Sequence, residues 1–168
     1  MLYFAYGSNM SVTRLTKRVP SANPLETGLL YGHKLIFHKV SKDGSGKCDA
    51  YETGSPLDCL EGVIYKIDPA HRNMLDNIEM SGYGYQVKDV SIETCSDKGV
   101  RAFTYYAANI NKDLKPYHWY KHHVITGAEE NDLTAEYIDR IRSVESIDDP
   151  DTDRSDLQLN IYMKSDRA

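Results

Sequence analysis

Strand-like segments fill the first two-thirds of this chain and never alternate regularly with helices, which argues against a doubly wound parallel sheet. Short apolar or alternating runs over 2–6, 29–40, 49–53, 61–67, 85–94 and 100–107 predict about six strands. Turn residues punctuate them. Gly7-Ser8-Asn9 follows the first, a loop over 42–47 holds Gly44 and Gly46, a turn surrounds Gly54, and Ser96-Asp97-Lys98-Gly99 closes the last hairpin. Within 85–94 the apolar parity switches between Val87 and Val90, which predicts a bulge or a twist. Helices are expected over 11–18 (Asn9 or Ser11 as N-cap), from Asp68-Pro69 to just before Gly82, over 116–125 with a stop near Gly127, and over 134–144. Met74, Leu75 and Ile78 mark the apolar face of the second; Leu133, Tyr137, Ile138, Ile141 and Val144 mark that of the last. This set fits the α+β class, as a small mixed β-barrel of about six strands with three or four helices packed outside.

At 168 residues the chain makes one domain, over 1–147, followed by an acidic tail over 148–168. From Ser146 onward six acids face three bases, which supplies most of the net charge of −5. No basic patch stands out, so a nucleic-acid partner is not expected. No apolar run approaches the ~18 residues of a membrane span, and the N-terminus lacks the basic and apolar regions of a secretion signal. The expected address is cytoplasmic. Cys48, Cys59 and Cys95 are an odd number without Cys-x-x-C spacing, and read as free thiols. The Asn9-Met10-Ser11 sequon then has no use. The polar tail from Asp148 is expected to wrap the surface or to be disordered, although Leu157, Leu159 and Ile161 alternate enough to dock as an edge strand. Thirteen tyrosines against three phenylalanines suit either strand surfaces or a polar cavity whose lining carries hydroxyls.

Cofactor motifs fail. Gly44-Ser45-Gly46-Lys47 resembles the end of a phosphate loop, but Ser41 and Cys48 stand where that pattern needs glycine and Ser or Thr. Gly82-x-Gly84 lacks a third glycine, because position 87 is Val87. His118 and His122 share a helix face at metal-competent spacing, with no acid or cysteine at helical spacing beside them.

Two segments carry chemistry. Tyr6-Gly7-Ser8-Asn9 ends a strand and begins a helix, where successive backbone N–H groups form a nest for a carboxylate or oxyanion. Glycine there admits unusual backbone angles and a close ligand. Glu79 ends the helix of Leu75, Asp76 and Ile78, where the helix dipole disfavours its charge and raises its pKa toward that of a general base.

Taken in order, Phe4-Ala5-Tyr6-Gly7-Ser8-Asn9, Leu75-Asp76 with Glu79, Gly82-x-Gly84-Tyr85, Tyr120-Lys121 before Gly127-Ala128, and Glu136-Tyr137 resemble the γ-glutamylcyclotransferase family over residues 2–144. The resemblance implies a mixed β-barrel with an internal cavity and a small-molecule γ-glutamyl substrate. Tyr3, Phe4, Ala5, Tyr6, Gly7, Ser8 and Asn9 would hold the γ-glutamyl group, Tyr85 and Tyr120 would line the cavity, and Glu79 would be catalytic. It implies cyclisation to 5-oxoproline with release of an amino acid, by a monomer or homodimer that needs no metal or other cofactor. Two alternatives stay open: a γ-glutamylamine such as the lysine ε-isopeptide, or a biosynthetic γ-glutamyl amide, as substrate, and a non-catalytic binding module on the same fold. Glutathione is disfavoured, since its specific branch reads Tyr-Gly-Ser-Leu where this chain has Asn9. Met80 replaces a glycine that many relatives carry after the glutamate, on the side where the leaving group should lie.

Overall fold

The computed structural model describes residues 1–80 and 84–163, with Met80 described in its backbone only. Gly82, Tyr83 and the side chain of Met80 therefore lie outside the described residues. Seven strands form: β1 (Leu2–Ala5), β2 (Asn23–Tyr31), β3 (His33–Val40), β4 (Gly46–Glu52), β5 (Cys59–Lys66), β6 (Tyr85–Thr94) and β7 (Val100–Ala107). Five of them close a barrel in the order β1-β5-β2-β6-β7, and β3 and β4 form a separate hairpin beside it. Closure is made by a parallel contact, Tyr3 against Phe103, while the remaining pairs are antiparallel. The single strand expected over 29–40 is two. Gly32 adopts φ +73, a left-handed angle that costs glycine little, and the chain turns there from the barrel into the hairpin. No bulge marks β6, whose pairing with β7 runs without a shift from Tyr85–Ala107 to Ile92–Val100. Val90 and the buried Ile92 keep one parity, and Val87 is simply exposed.

Five helices surround the barrel: α1 (Val12–Arg18), α2 (Arg72–Met80), α3 (His118–Glu130), α4 (Ala135–Ser143) and α5 (Thr152–Leu159). Local chemistry starts α1, α4 and the 3-10 turn Pro69–His71 that leads into α2. Ser11 accepts from the Arg14 N–H, Asp68 from the Ala70 N–H ahead of Pro69, and Thr134 from the Tyr137 N–H. Of the three residues expected on the apolar face of α2, Leu75 is buried and Met74 and Ile78 are exposed. Gly127 does not stop a helix. It sits inside α3, where a Cβ would lie 2.4 Å from the Ser11 nitrogen and 2.7 Å from the Met10 carbonyl carbon. The helix needs glycine to press against the turn that follows β1. In place of an edge strand over 157–161 the chain forms α5 and a short 3-10 turn, Asn160–Tyr162, laid against α3. No helix among the described residues is long and apolar enough to cross a membrane.

Candidate active site

The turn after β1 is held from three directions. The Met10 N–H closes a 3-10 turn on the Gly7 carbonyl at 2.9 Å. The Met10 carbonyl then accepts from the Tyr65 hydroxyl (2.6 Å) and the Asn131 amide (3.0 Å). The Ser8 and Asn9 N–H groups precede the first hydrogen bond of this turn, so the turn itself does not use them. Gly7 sits at φ −117, outside the left-handed region. What requires glycine is packing: a Cβ would touch the Cys48 Cβ at 3.0 Å.

Glu79, near the end of α2, reaches this turn through Asn9, whose Nδ2 donates to Glu79 Oε1 at 2.8 Å. The Arg18 guanidinium donates to Asn9 Oδ1 (3.2 Å), so the amide must present its NH2 to Glu79 and, more loosely, to the Tyr3 hydroxyl (3.3 Å). Burial raises the Glu79 pKa above the usual 4.5, and prevails over the opposing pulls of Arg18, the Asn9 hydrogen bond, Arg14 and Lys39. The direction matches the sequence expectation, but the chief cause is desolvation rather than the helix dipole.

Tyrosines line the rest. The Tyr85 hydroxyl donates to the Cys48 carbonyl (2.7 Å), the Tyr120 hydroxyl accepts from the Cys48 N–H (3.1 Å), and the Tyr6 hydroxyl donates to the Tyr105 carbonyl (2.6 Å). Burial lifts the pKa of Tyr3, Tyr6, Tyr85 and Tyr120 well above 10, so all four remain neutral phenols. Burial likewise pushes the Cys48 thiol up to about 12, which leaves it a poor nucleophile.

Of the residues singled out from the sequence, Tyr3, Tyr6, Gly7, Ser8, Asn9, Glu79, Tyr85 and Tyr120 meet around one narrow cavity. Phe4 and Ala5 are fully buried outside that lining; the Phe4 ring faces Gly62, and the Phe4 carbonyl accepts from Thr104. Cys48 and Tyr105 join the cavity without having been anticipated, because nothing in their local sequence marks them. The narrow cavity continues into an outer hollow of about 220 Å³ that shares Ser8, Glu79, Tyr85 and Tyr120. A larger, mainly apolar hollow of about 490 Å³ lies elsewhere, against β3, β4 and Val144, and contains neither Glu79 nor the turn. Of the two, the smaller combines a carboxyl of raised pKa with backbone N–H groups that the turn leaves unused.

The histidines do not form a shared ligand set. His118 and His122 are exposed, whereas His123 is buried against Arg14 (3.0 Å), the Tyr162 hydroxyl (2.8 Å) and Gln158 (3.3 Å). Its pKa falls to about 3 through burial and the neighbouring Arg14.

Comparison with known proteins decides the family. A human γ-glutamylcyclotransferase is 34% identical over 152 residues, which are 88% of this chain and 80% of that protein. The chain belongs to the γ-glutamylcyclotransferase family. The model of the AIG2-like family matches residues 59–141. A solved γ-glutamyl cyclotransferase superposes with a TM-score of 0.83 at 28% identity, covering 95% of this chain and 98% of that one. An uncharacterised human protein superposes at 0.80 with 31% identity, over 88% of this chain and 89% of its own. The mixed barrel with helices outside is thus the architecture this γ-glutamylcyclotransferase relative shares with its family, and Glu79 and the Tyr6–Asn9 turn lie in its narrow cavity.

Proposed function

We propose that this chain converts γ-glutamyl amino acids to 5-oxoproline and the free amino acid, with Glu79 moving the proton. The observation that carries the reading is the buried, pKa-raised Glu79 carboxyl aimed by Asn9 at a turn with unspent N–H groups. Glu79 accepts a proton from the substrate's α-ammonium. The freed amine attacks its own γ-carbonyl carbon, and a five-membered ring closes. Ser8 and Asn9 N–H groups meet the charge on the substrate's carboxylate or on the oxyanion that forms. The ring nitrogen, positively charged after the attack, gives up its second proton to solvent; the bond to the leaving nitrogen then breaks, and Glu79 returns its proton to that nitrogen. Nucleophile and electrophile share one molecule, so holding the bent conformer supplies much of the rate; effective molarities in such cases reach ~10⁵ M. The neutral phenols of Tyr3, Tyr6, Tyr85 and Tyr120 shape the cavity and shed water without adding charge. Every group in this reading comes from one chain, which a monomer or a homodimer supplies equally. The three unpaired cysteines suit a reducing, cytoplasmic setting.

The direct test is mass-spectrometric detection of 5-oxoproline after incubation with γ-glutamyl-alanine, γ-glutamyl-ε-lysine or glutathione. Release from the first, dependent on Glu79, is the expected result; silence from all three contradicts the assignment. Two variants probe the supporting groups. Ser8→Pro removes one N–H of the turn and should raise KM or lower kcat about tenfold; unchanged constants would exclude the nest. Asn9→Leu removes the donor that lowers the Glu79 pKa. A general base must be unprotonated, so activity falls as pH drops through the Glu79 pKa, which lies above 4.5. In Asn9→Leu that acid limb should move upward by about one pH unit. An unmoved limb would mean that Asn9 does not tune Glu79.

A further inference from the structure

The outer hollow beside Glu79 is crowded with positive charge. Arg14 and Arg18 enter it from α1, Lys39 and Lys47 from the β3–β4 hairpin, and Lys42 from the loop between those strands. Glu79 is the one acid lining it among the described residues. Lys39 and Lys47 stand directly opposite each other in the hairpin register, an arrangement that like charges make unfavourable. Both are buried, at 9% exposure each.

Their surroundings differ. Lys47 Nζ donates to Asp43 Oδ2 at 2.7 Å and to Ser45 Oγ, and it lies 4.6 Å above each of the Trp119 and Tyr120 rings. Lys39 has no ion pair or side-chain hydrogen bond among the described residues; its Nζ rests 4.8 Å from the centre of the Tyr85 ring. Burial also lowers its pKa, so an anion arriving in the hollow would relieve a desolvated charge. A buried cation that makes no ion pair among the described residues, opposite a second cation that does, marks the place where a ligand's negative charge belongs.

We propose that Lys39 binds the α-carboxylate of the departing amino acid and so makes the enzyme selective for γ-glutamyl compounds whose leaving group carries that carboxylate next to the scissile nitrogen. This rests on the cyclotransferase reading above. The stereochemistry agrees with it. In a γ-glutamyl amino acid the second carboxylate is two bonds from the nitrogen that Glu79 must reprotonate, so both must lie in one hollow, and Lys39 and Glu79 do. In lysine's ε-isopeptide the α-carboxylate lies at the far end of the side chain from the scissile nitrogen, beside an α-ammonium, so it does not stand next to that nitrogen where Lys39 and Glu79 share the hollow.

The test compares γ-glutamyl-alanine with γ-glutamyl-alaninamide, which differ only in that carboxylate. The wild-type kcat/KM should favour the acid at least tenfold. Lys39→Met should lose 10- to 100-fold on the acid and bring the two compounds within about threefold of each other, while Lys39→Arg keeps most of the preference. A lysine serving only to cover the Tyr85 ring would leave that ratio where it was. Equal turnover of both compounds by the wild type, or a ratio preserved in Lys39→Met, overturns the subsite and leaves the cyclotransferase reading standing. Absence of 5-oxoproline from both compounds overturns the reading itself, and the subsite with it.

Discussion

Replacing Glu79 by glutamine should lower kcat about 10³-fold, with KM changed no more than a few-fold. General acid–base catalysis contributes about 10²–10⁴, and here one carboxyl is asked both to take a proton from the α-ammonium and to return it to the leaving nitrogen. Glutamine keeps the shape and can still pair with Asn9, which donates to Glu79 Oε1 at 2.8 Å. The loss should therefore fall on turnover, as single-turnover kinetics would report. Stability provides the control, and its sign follows from the pKa. Glu79 has a raised pKa in the folded chain, so the folded state holds its proton more tightly than the unfolded one. Ionised Glu79 therefore weakens the fold as pH rises through that value. Glutamine removes this cost, and the melting temperature at neutral pH should equal or exceed that of the wild type. Activity within tenfold of wild type would remove Glu79 from the proton transfer.

The second large effect is structural and begins at a glycine. Gly127→Ala should lower stability by about 2–3 kcal/mol, or ~5–10 °C in melting temperature for a chain of this size. An alanine inside α3 would ordinarily stabilise the helix by about 1 kcal/mol. Here its methyl would fall 2.4 Å from the Ser11 nitrogen and 2.7 Å from the Met10 carbonyl carbon. Those are backbone atoms of the segment that the Tyr65 hydroxyl and Asn131 amide hold in place, so they cannot yield as a flexible side chain would. Because Asn9 immediately precedes them, the displacement should also loosen the Asn9–Glu79 contact and reduce kcat. Calorimetry and turnover measured on the same preparation would separate the two effects. A melting temperature at or above that of the wild type would show that α3 gives way instead.

What could be read from the chain was local, and so was the physics behind it. Alternation within β6 and β7 and the turn between them sets both strands at Tyr85–Thr94 and Val100–Ala107. Ser11, Asp68 with Pro69, and Thr134 start helices because their side chains satisfy N–H groups two or three residues on. The Tyr6–Asn9 turn and Glu79 stood out for the same reason, as residue types whose meaning depends on immediate neighbours. An apolar run cannot announce that Gly32 will take φ +73, and a glycine at the expected end of a helix looks like a stop until its partner is known. The stop at Gly127 failed because a segment more than a hundred residues earlier presses on it. Barrel closure acts over similar spans. It sets Tyr3 beside Phe103 and brings Tyr105 to the cavity, while the β3–β4 hairpin and α1, packed beside the barrel, bring Cys48 to the cavity and gather Arg14, Arg18, Lys39 and Lys47 around Glu79. Sequence by itself therefore determined most of the elements and singled out the Glu79 carboxyl, which depend on neighbours a few residues apart. Which tyrosines face the substrate, and which charges surround it, was decided by tertiary structure alone, because only the closed barrel and its packed helices bring those distant side chains together.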